Sequence, residues 1–294
     1  MCVLLTGANG FLGSYIKSAF QGCELTTLGL SGCDYNGDLS VRVPELTKPF
    51  KKVIHVAGLA HITPKSNDSA KRFYEVNLTG TTNLLKGLEW LPELPEIFIF
   101  ISTVAVYGVD SGENIDETAP LKGHSPYEHS KAEAEIAVET WGALNHVKVL
   151  ILRLPLIVGK NPPGNLGAMV RAIQRGYYFR IGEGAVRRSM VLAEDVAAFI
   201  ERSNGCSGIY NLTDGLHPSV RELDEAIALK CGKKIKVLPQ SIVRLAARVG
   251  DIIPLIPINS LKLGKLTSTL TFSDMKARTE LGWSPRPVVE NLEI

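Results

Sequence analysis

The chain has 294 residues, 45% of them hydrophobic and 21% charged, with a formal net charge of +2. That length fits one large or two unequal domains, and the composition excludes a disordered, collagenous or coiled-coil chain. Basic residues stand in short pairs such as Lys51-Lys52, Arg187-Arg188 and Lys233-Lys234, so no basic stripe points to a nucleic-acid partner.

Cys2–Thr6 is a short apolar run, read as a buried parallel strand. Phe11, Leu12, Tyr15, Ile16, Ala19 and Phe20 follow at helical spacing, with Gly22 where a helix would stop. Glu24–Leu30 and Lys52–Ala57 read as strands, and Phe73–Trp90 as one helix with Leu78, Thr82, Leu85 and Leu88 near one face. Glu96–Ser102 is a strand, Tyr127–Trp141 a helix and Val147–Leu154 a strand. Strands alternating with helices of this length predict βαβ units and an α/β fold built on a parallel sheet. After Leu154 the pattern loosens: helix Leu166–Arg175, strand Tyr178–Ile181, helix Asp195–Ser203, strand Ile209–Leu212 and helix Ser219–Cys231, then an irregular stretch to Ile294. This predicts a first domain over 1–160, joined by returning pieces near 189–216, and a smaller discontinuous α/β domain over 161–294.

Five cysteines (Cys2, Cys23, Cys33, Cys206, Cys231) contain no CxxC pair, so neither a disulfide framework nor a metal site is expected. Free thiols fit a reducing, cytoplasmic setting. The opening residues lack a basic leader before an apolar run, so no signal peptide is expected. The apolar run Ile252–Ile258 contains two prolines and falls far short of the roughly 20 residues that span a bilayer, so no membrane partner is expected.

Thr6-Gly7-Ala8-Asn9-Gly10-Phe11-Leu12-Gly13 lies between the first strand and the first helix. Gly7 can make the tight turn, Gly10 lets the backbone approach a pyrophosphate on the helix N-terminus, and Gly13 allows close helix–strand packing. The spacing is GxxGxxG, and its place opening a βαβ unit predicts dinucleotide binding on a Rossmann-type doubly wound sheet.

Ser125-Pro126-Tyr127-Glu128-His129-Ser130-Lys131 reads as a helix start, with Ser125 as N-cap, Pro126 at N1 and Glu128 closing a capping box. Tyr127 and Lys131 are then one turn apart on one face. An ammonium near a phenol favours the phenolate and lowers its pKa, which would let Tyr127 exchange protons near neutral pH. Ser102-Thr103 closes a parallel strand, and hydroxyls at that end lie where ligands bind in doubly wound sheets.

These motifs together resemble the extended short-chain dehydrogenase/reductase superfamily, and within it the NAD-dependent epimerase/dehydratase type. TGxxGxxG matches its cofactor loop, Ser102-Thr103-Val104-Ala105-Val106-Tyr107-Gly108 its S-S/T-x-x-V-Y-G segment, and Tyr127 with Lys131 its YxxxK pair. The resemblance implies a catalytic set of Thr103, Tyr127 and Lys131, with Ser102 beside it. It implies cofactor contacts from Gly7, Asn9, Gly10, Phe11, Leu12 and Gly13, from Asp38 and Leu39 at adenine, and from Val56, Ala57 and Gly58 after the fourth strand. Asn77 and Pro155 join the cofactor set, as do Tyr127 and Lys131; for Asn77 a structural role weighs at least as much. Asn165 and Arg188 are implied at the substrate diphosphate, a task that suits the planar guanidinium fork, while Thr103 meets the sugar. Arg153 opens an LRxxxxxG segment at the nicotinamide end, and Asp274, Lys276 and Trp283 belong to a mostly structural tail.

The acid that binds the NAD ribose in this family falls on Gly29, and no arginine lies within Leu28–Gly32 to meet a 2′-phosphate; NAD and NADP both stay open. Val104 and Ala105 stand where sugar dehydratases carry acids, which argues against elimination. The resemblance is to nucleotide-sugar 4-epimerases and 4-keto-sugar reductases of surface-polysaccharide pathways. It implies a UDP-sugar 4-epimerase working through a 4-keto intermediate. The alternatives are an NADPH-dependent C4 reductase of a 4-keto-6-deoxy nucleotide sugar and, from another class, a non-catalytic dinucleotide sensor. A homodimer through the Phe73–Trp90 and Tyr127–Trp141 helices is also implied.

Overall fold

The computed structural model describes residues 2–60, 62, 64, 66–252 and 259–294; most of the Ile252–Ile258 run lies outside these. The β-branched and aliphatic runs become strands β1 (Cys2–Thr6), β2 (Glu24–Gly29), β3 (Tyr35–Asn36), β4 (Lys52–His55), β5 (Ile97–Thr103), β7 (Lys148–Leu154) and β11 (Gly208–Asn211) of one sheet. Their order is β11-β7-β5-β4-β1-β2-β3, and every pairing is parallel. Helices α1 (Phe11–Ala19), α2 (Asn67–Tyr74), α3 (Gly80–Glu89), α4 (Pro126–Asn145) and α6 (Ala193–Arg202) cover its two faces. One apolar cluster joins α1 and α6 to the sheet through Ile16, Val196 and Phe199, and the other joins α3 and α4 through Leu85, Leu88, Val138 and Trp141. Burial on both faces is why the strands read as continuous apolar runs.

Shorter elements complete the chain: β6 (Gly112–Ile115), β8 (Leu156–Val158), α5 (Gly164–Gln174), β9 (Phe179–Ile181), β10 (Met190–Leu192), α7 (Val220–Lys230), β12 (Lys236–Leu238), α8 (Gln240–Ile252), α9 (Ser260–Thr267), β13 (Leu270–Phe272) and α10 (Met275–Leu281). A third cluster, with Val170 and Ile173 of α5, Leu223 and Ile227 of α7, and Met190, stands apart from the main sheet.

Three sequence expectations are corrected. The helix expected from Phe73 starts earlier, at Asn67, behind a Ser66 capping box, and contains a π turn over Glu75–Thr79. The helix expected to end near Gly142 runs to Asn145 and closes on left-handed His146. The stretch after Cys231, read as irregular, carries α8, α9 and α10. Trp283 anchors the tail: its indole N–H donates to Thr213 O at 2.9 Å, and its ring meets Phe199 edge-on at 5.5 Å.

Candidate active site

The chain leaves the sheet in opposite senses on either side of the neighbours β1 and β4, which opens a crevice at their carboxyl ends. Gly7 turns there with φ +72°, and a Cβ would lie 2.7 Å from Ala57 N, so only glycine is accommodated. A Cβ on Gly13 would collide with the Gly7 carbonyl. Gly10 is the N-cap of α1, offers no side-chain cap, and no acid sits in the first turn. A glycine cradle and a positive helix end free of competing carboxylates fit the pyrophosphate of a dinucleotide.

Two hollows adjoin this loop. One of ≈ 400 Å³ is lined by Gly10, Phe11, Leu12, Gly13, Val56, Asn77, Ser102, Thr103, Tyr127, Lys131 and Pro155. The other, of ≈ 450 Å³, is lined by Asn9, Gly29, Ser31, Asp38, Leu39, Ser40, His55 and Arg72. They share Gly7, Gly10, Ala57, Gly58 and Leu59, and form one trough. Every residue assigned to the cofactor from sequence lines it.

Tyr127 is placed by the start of α4. Ser125 Oγ accepts from the Glu128 N–H at 3.3 Å, and Glu128 Oε2 accepts from the Ser125 N–H at 2.9 Å. The phenol packs on Phe73, with ring centroids 5.9 Å apart, and has the Thr103 side chain as its polar neighbour. One sequence expectation changes here. Burial raises the Tyr127 pKa, and the neighbouring Thr103 hydroxyl pulls it back in part. Lys131 instead donates to Ile101 O at 2.6 Å and lies 4.0 Å over the Phe100 ring. Desolvation brings its own pKa down to about 7 against the pull of Glu135. The ammonium is thus committed to a backbone carbonyl, and among the described residues no hydrogen bond joins it to the phenol one turn away.

Ser102 and Thr103 face opposite sides of β5, as neighbours on a strand must. Thr103 Oγ1 accepts from the Ala105 N–H at 3.2 Å. Ser102 Oγ donates to Glu135 in a very short bond. Glu135 is clamped by Arg153, with Nη2 to Oε2 at 2.7 Å and Nε to Oε1 at 3.1 Å. Arg153 Nη1 donates to Tyr107 Oη at 3.0 Å, and Tyr107 donates to Asn211 Oδ1 at 2.9 Å. This buried chain ties β5, α4, β7 and β11 together directly behind Thr103 and Lys131. Its members are hydrogen-bonded throughout, so their burial is tolerated. Arg153 thus supports the site from behind, and the segment it opens meets the trough through Leu154, Pro155, Leu156 and Ile157.

Two groups hold the Val56-Ala57-Gly58 loop: Asn77, in the structural role that the sequence already allowed, and His55, which sequence reasoning missed. Asn77, at the π turn, accepts from the Leu59 N–H at 2.7 Å and donates to Leu59 O at 3.1 Å and Ser130 Oγ at 3.0 Å. His55 bridges the hydroxyls of Thr6 at 2.6 Å and Thr81 at 2.9 Å. Thr81 donates to Asn77 O and Thr6 accepts from the Ala57 N–H. Because Thr81 donates to Asn77 O, His55 Nε2 must donate to Thr81; the neutral imidazole then accepts the Thr6 hydroxyl proton at Nδ1, which gives every proton of the group an acceptor. Burial, with Lys131 adding to it, pushes the His55 pKa down to about 3. The unfolded chain binds this proton near 6.5, so the stability due to neutral His55 is full above pH 6.5 and declines as pH falls toward 3. Between pH 6 and 4 wild type is expected to lose about 1.4 kcal/mol per pH unit more than His55→Asn, read from urea unfolding at each pH. Parallel profiles for the two proteins would contradict this.

Two substrate candidates lie outside the trough. Arg188 donates to Lys265 O at 2.5 Å and, in a shorter bond, to Ser268 O, so its fork holds the end of α9. Asn165 is exposed in the first turn of α5, two residues from Pro163 at the trough wall. Phe73, Glu135, His55 and Arg72 had no signal in sequence spacing: the first three meet Tyr127, Ser102 and Thr81 across at least 26 residues of chain, and Arg72 enters its hollow from α2.

Residues 3–203 match the model of the NAD dependent epimerase/dehydratase family. The chain is 26% identical to the N-acetyl-alpha-D-glucosaminyl-diphospho-ditrans,octacis-undecaprenol 4-epimerase of Escherichia coli, over 99% of this chain and 93% of that protein. It is 28% identical to the GDP-6-deoxy-D-mannose reductase of Pseudomonas aeruginosa, over 77% and 79% respectively. Among solved structures, the UDP-glucose 4-epimerase of Thermus thermophilus in complex with NAD superposes with a TM-score of 0.72 at 25% identity, covering 97% of this chain and 94% of that one.

Proposed function

The chain belongs to the NAD dependent epimerase/dehydratase family, and from that premise we propose that it is a nucleotide-sugar 4-epimerase acting on a UDP-sugar through a 4-keto intermediate. The observation that carries this reading is the meeting of Thr103, Tyr127 and Lys131 with the glycine loop around one trough. Bound there, a nicotinamide dinucleotide would supply reversible hydride transfer at the sugar carbon. Tyr127 Oη acts as the tyrosinate, its own proton released to solvent beforehand: it takes the proton of the 4-hydroxyl and, as the phenol so formed, returns it when that carbon is reduced again. Thr103 Oγ1 hydrogen-bonds the same oxygen. Lys131, one turn further along α4, donates to ribose hydroxyls and fixes the helix through Ile101 O. The apolar walls Leu154, Leu156 and Ile157 exclude water from the reacting face. The test is to extract the dinucleotide that copurifies with the chain and to assay UDP-sugars with and without added NADPH. Retained NAD and interconversion of 4-epimers without net redox change support it; stoichiometric NADPH consumption on a 4-keto sugar sinks it.

That second outcome defines the other reading, a C4 reductase using NADPH, and one observation favours it. A side chain at Gly29, where an NAD-binding acid would stand, would meet Cys33 Sγ at 2.9 Å. Asp34 is turned away onto Thr27, at 2.8 Å from both its N–H and its hydroxyl. The remaining acid of the hollow, Asp38, is taken by Ser40, at 2.9 Å from its N–H and 2.6 Å from its hydroxyl. Arg72, brought in from α2, and Ser31 line the same hollow and suit a 2′-phosphate. Arg72→Ala is expected to weaken NADPH binding about tenfold and to leave NADH unchanged, measured by nucleotide fluorescence. Equal effects on both nucleotides would remove Arg72 from the discrimination.

We assign residues 1–160, with the pieces near 189–216, to the dinucleotide domain and 161–294 to the substrate domain; the separate apolar cluster of α5 and α7 supports that division. A homodimer is assigned to the outward faces of α3 and α4, where Trp90, Ile136 and Leu144 are exposed. The free cysteines fit the cytoplasm.

A further inference from the structure

Residues 230–268 contain eight lysines and arginines and a single acid, Asp251, in a chain whose total charge is only +2. The rest of the molecule is therefore net negative, and its positive charge is gathered into the end of α7, β12, α8 and α9. Helix α8 is apolar on two faces. Its inner face, Val243 and Ala247, packs with Leu263 of α9 and Ile181 of β9. Its outer face carries Ile242, Leu245 and Val249, which are 59%, 64% and 39% exposed. These recur at i, i+3 and i+7, one stripe of a helix. Leu261 and Leu266 of α9 and Val237 of β12 are exposed as well. Arg244 and Arg248 flank the stripe one turn apart, are exposed, and have no ion pair or hydrogen bond among the described residues. Asp251 is engaged by Ser260, whose N–H donates at 2.9 Å and whose hydroxyl donates at 2.5 Å, so it ties α8 to α9 and does not neutralise the arginines.

A helix that faced only water would gain nothing from an outer apolar stripe. A two-fold contact with a second copy would set this positive surface against itself. A layer of anionic headgroups satisfies both features, taking apolar side chains at the acyl boundary and cations at the phosphates. Among the described residues no helix is long and apolar enough to cross a membrane, so the contact is peripheral. We propose that the packed helices α8 and α9 dock this protein on a bilayer surface bearing anionic lipids, with Ile242, Leu245 and Val249 in the headgroup boundary and Arg244 and Arg248 against lipid phosphates. The proposal goes beyond the enzymatic reading and does not depend on it.

The test is sedimentation of the purified full chain with vesicles of phosphatidylcholine alone and of phosphatidylcholine mixed with phosphatidylglycerol. Binding is expected to the mixed vesicles, and to weaken as salt is raised. Leu245→Asp, and separately Arg244→Glu with Arg248→Glu, should each lower vesicle affinity at least about tenfold. Circular dichroism and dinucleotide binding should be unchanged, because these side chains point away from both cores. No pelleting with anionic vesicles overturns the proposal, as does pelleting that neither variant weakens. A homodimer seen by light scattering and abolished by Leu245→Asp, without vesicle binding, assigns the face to a second copy and overturns it too.

Discussion

Tyr127→Phe is expected to lower kcat by roughly 10²- to 10⁴-fold, the range that a positioned proton-transfer group contributes. The substitution removes only the hydroxyl. The ring keeps its packing on Phe73 and the Ser125–Glu128 cap that starts α4 is untouched. Dinucleotide affinity should be retained and stability should change by no more than about 1 kcal/mol, since only a hydroxyl is removed. The measurements are steady-state turnover, dinucleotide titration and thermal unfolding on the same preparation. Full turnover by Tyr127→Phe would falsify both enzymatic readings, since both route the sugar oxygen's proton through this phenol. Loss of turnover together with loss of dinucleotide binding would show instead that the phenol builds the trough.

Arg153→Met is expected to destabilise the protein by about 3–5 kcal/mol, because it leaves the Glu135 carboxylate buried without its counter-charge. Glu135 is 1% and Arg153 3% exposed. Burial opposes the Arg153 charge, and the bonds from Glu135 outweigh it and hold the guanidinium protonated. Replacing both residues, as Arg153→Met with Glu135→Leu, should recover much of the loss. Urea unfolding of the two single variants and the double variant forms a cycle that isolates the pair. A single-variant cost below about 1 kcal/mol would mean that water or another cation reaches Glu135. The effect reaches function as well: Ser102, next to Thr103, and Glu135, one turn beyond Lys131, share this network, so the double variant should regain stability more fully than turnover.

Much of the trough was legible in the chain because its signals are local. The glycines of Gly7–Gly13 answer to backbone geometry within one turn, and the Ser125–Glu128 cap fixes where α4 begins and so puts Tyr127 and Lys131 on one face. Alternating apolar runs and helical periods are enough to call for a parallel sheet with helices on both sides. The helices after Cys231 were missed although Ile242, Val243, Leu245 and Val249 carry a helical period, because apolar residues on two faces of α8 blur the single stripe that marks an amphipathic helix.

The sequence by itself determined the family, the parallel sheet and the line of residues that meets in one trough, since each rests on spacings of a few residues. Only the tertiary structure decided what those residues do to one another. Strand pleat sends Ser102 to Glu135 and leaves Thr103 in the trough. Packing gives the Lys131 ammonium to Ile101 O, and burial raises the Tyr127 phenol where spacing suggested lowering. Chain crossing brings Arg72 to the hollow that Gly29 leaves without an acid, and commits Arg188 to the carbonyls at the end of α9. Each of these outcomes is set by desolvation and by partners far away in sequence, and neither is encoded in the local pattern.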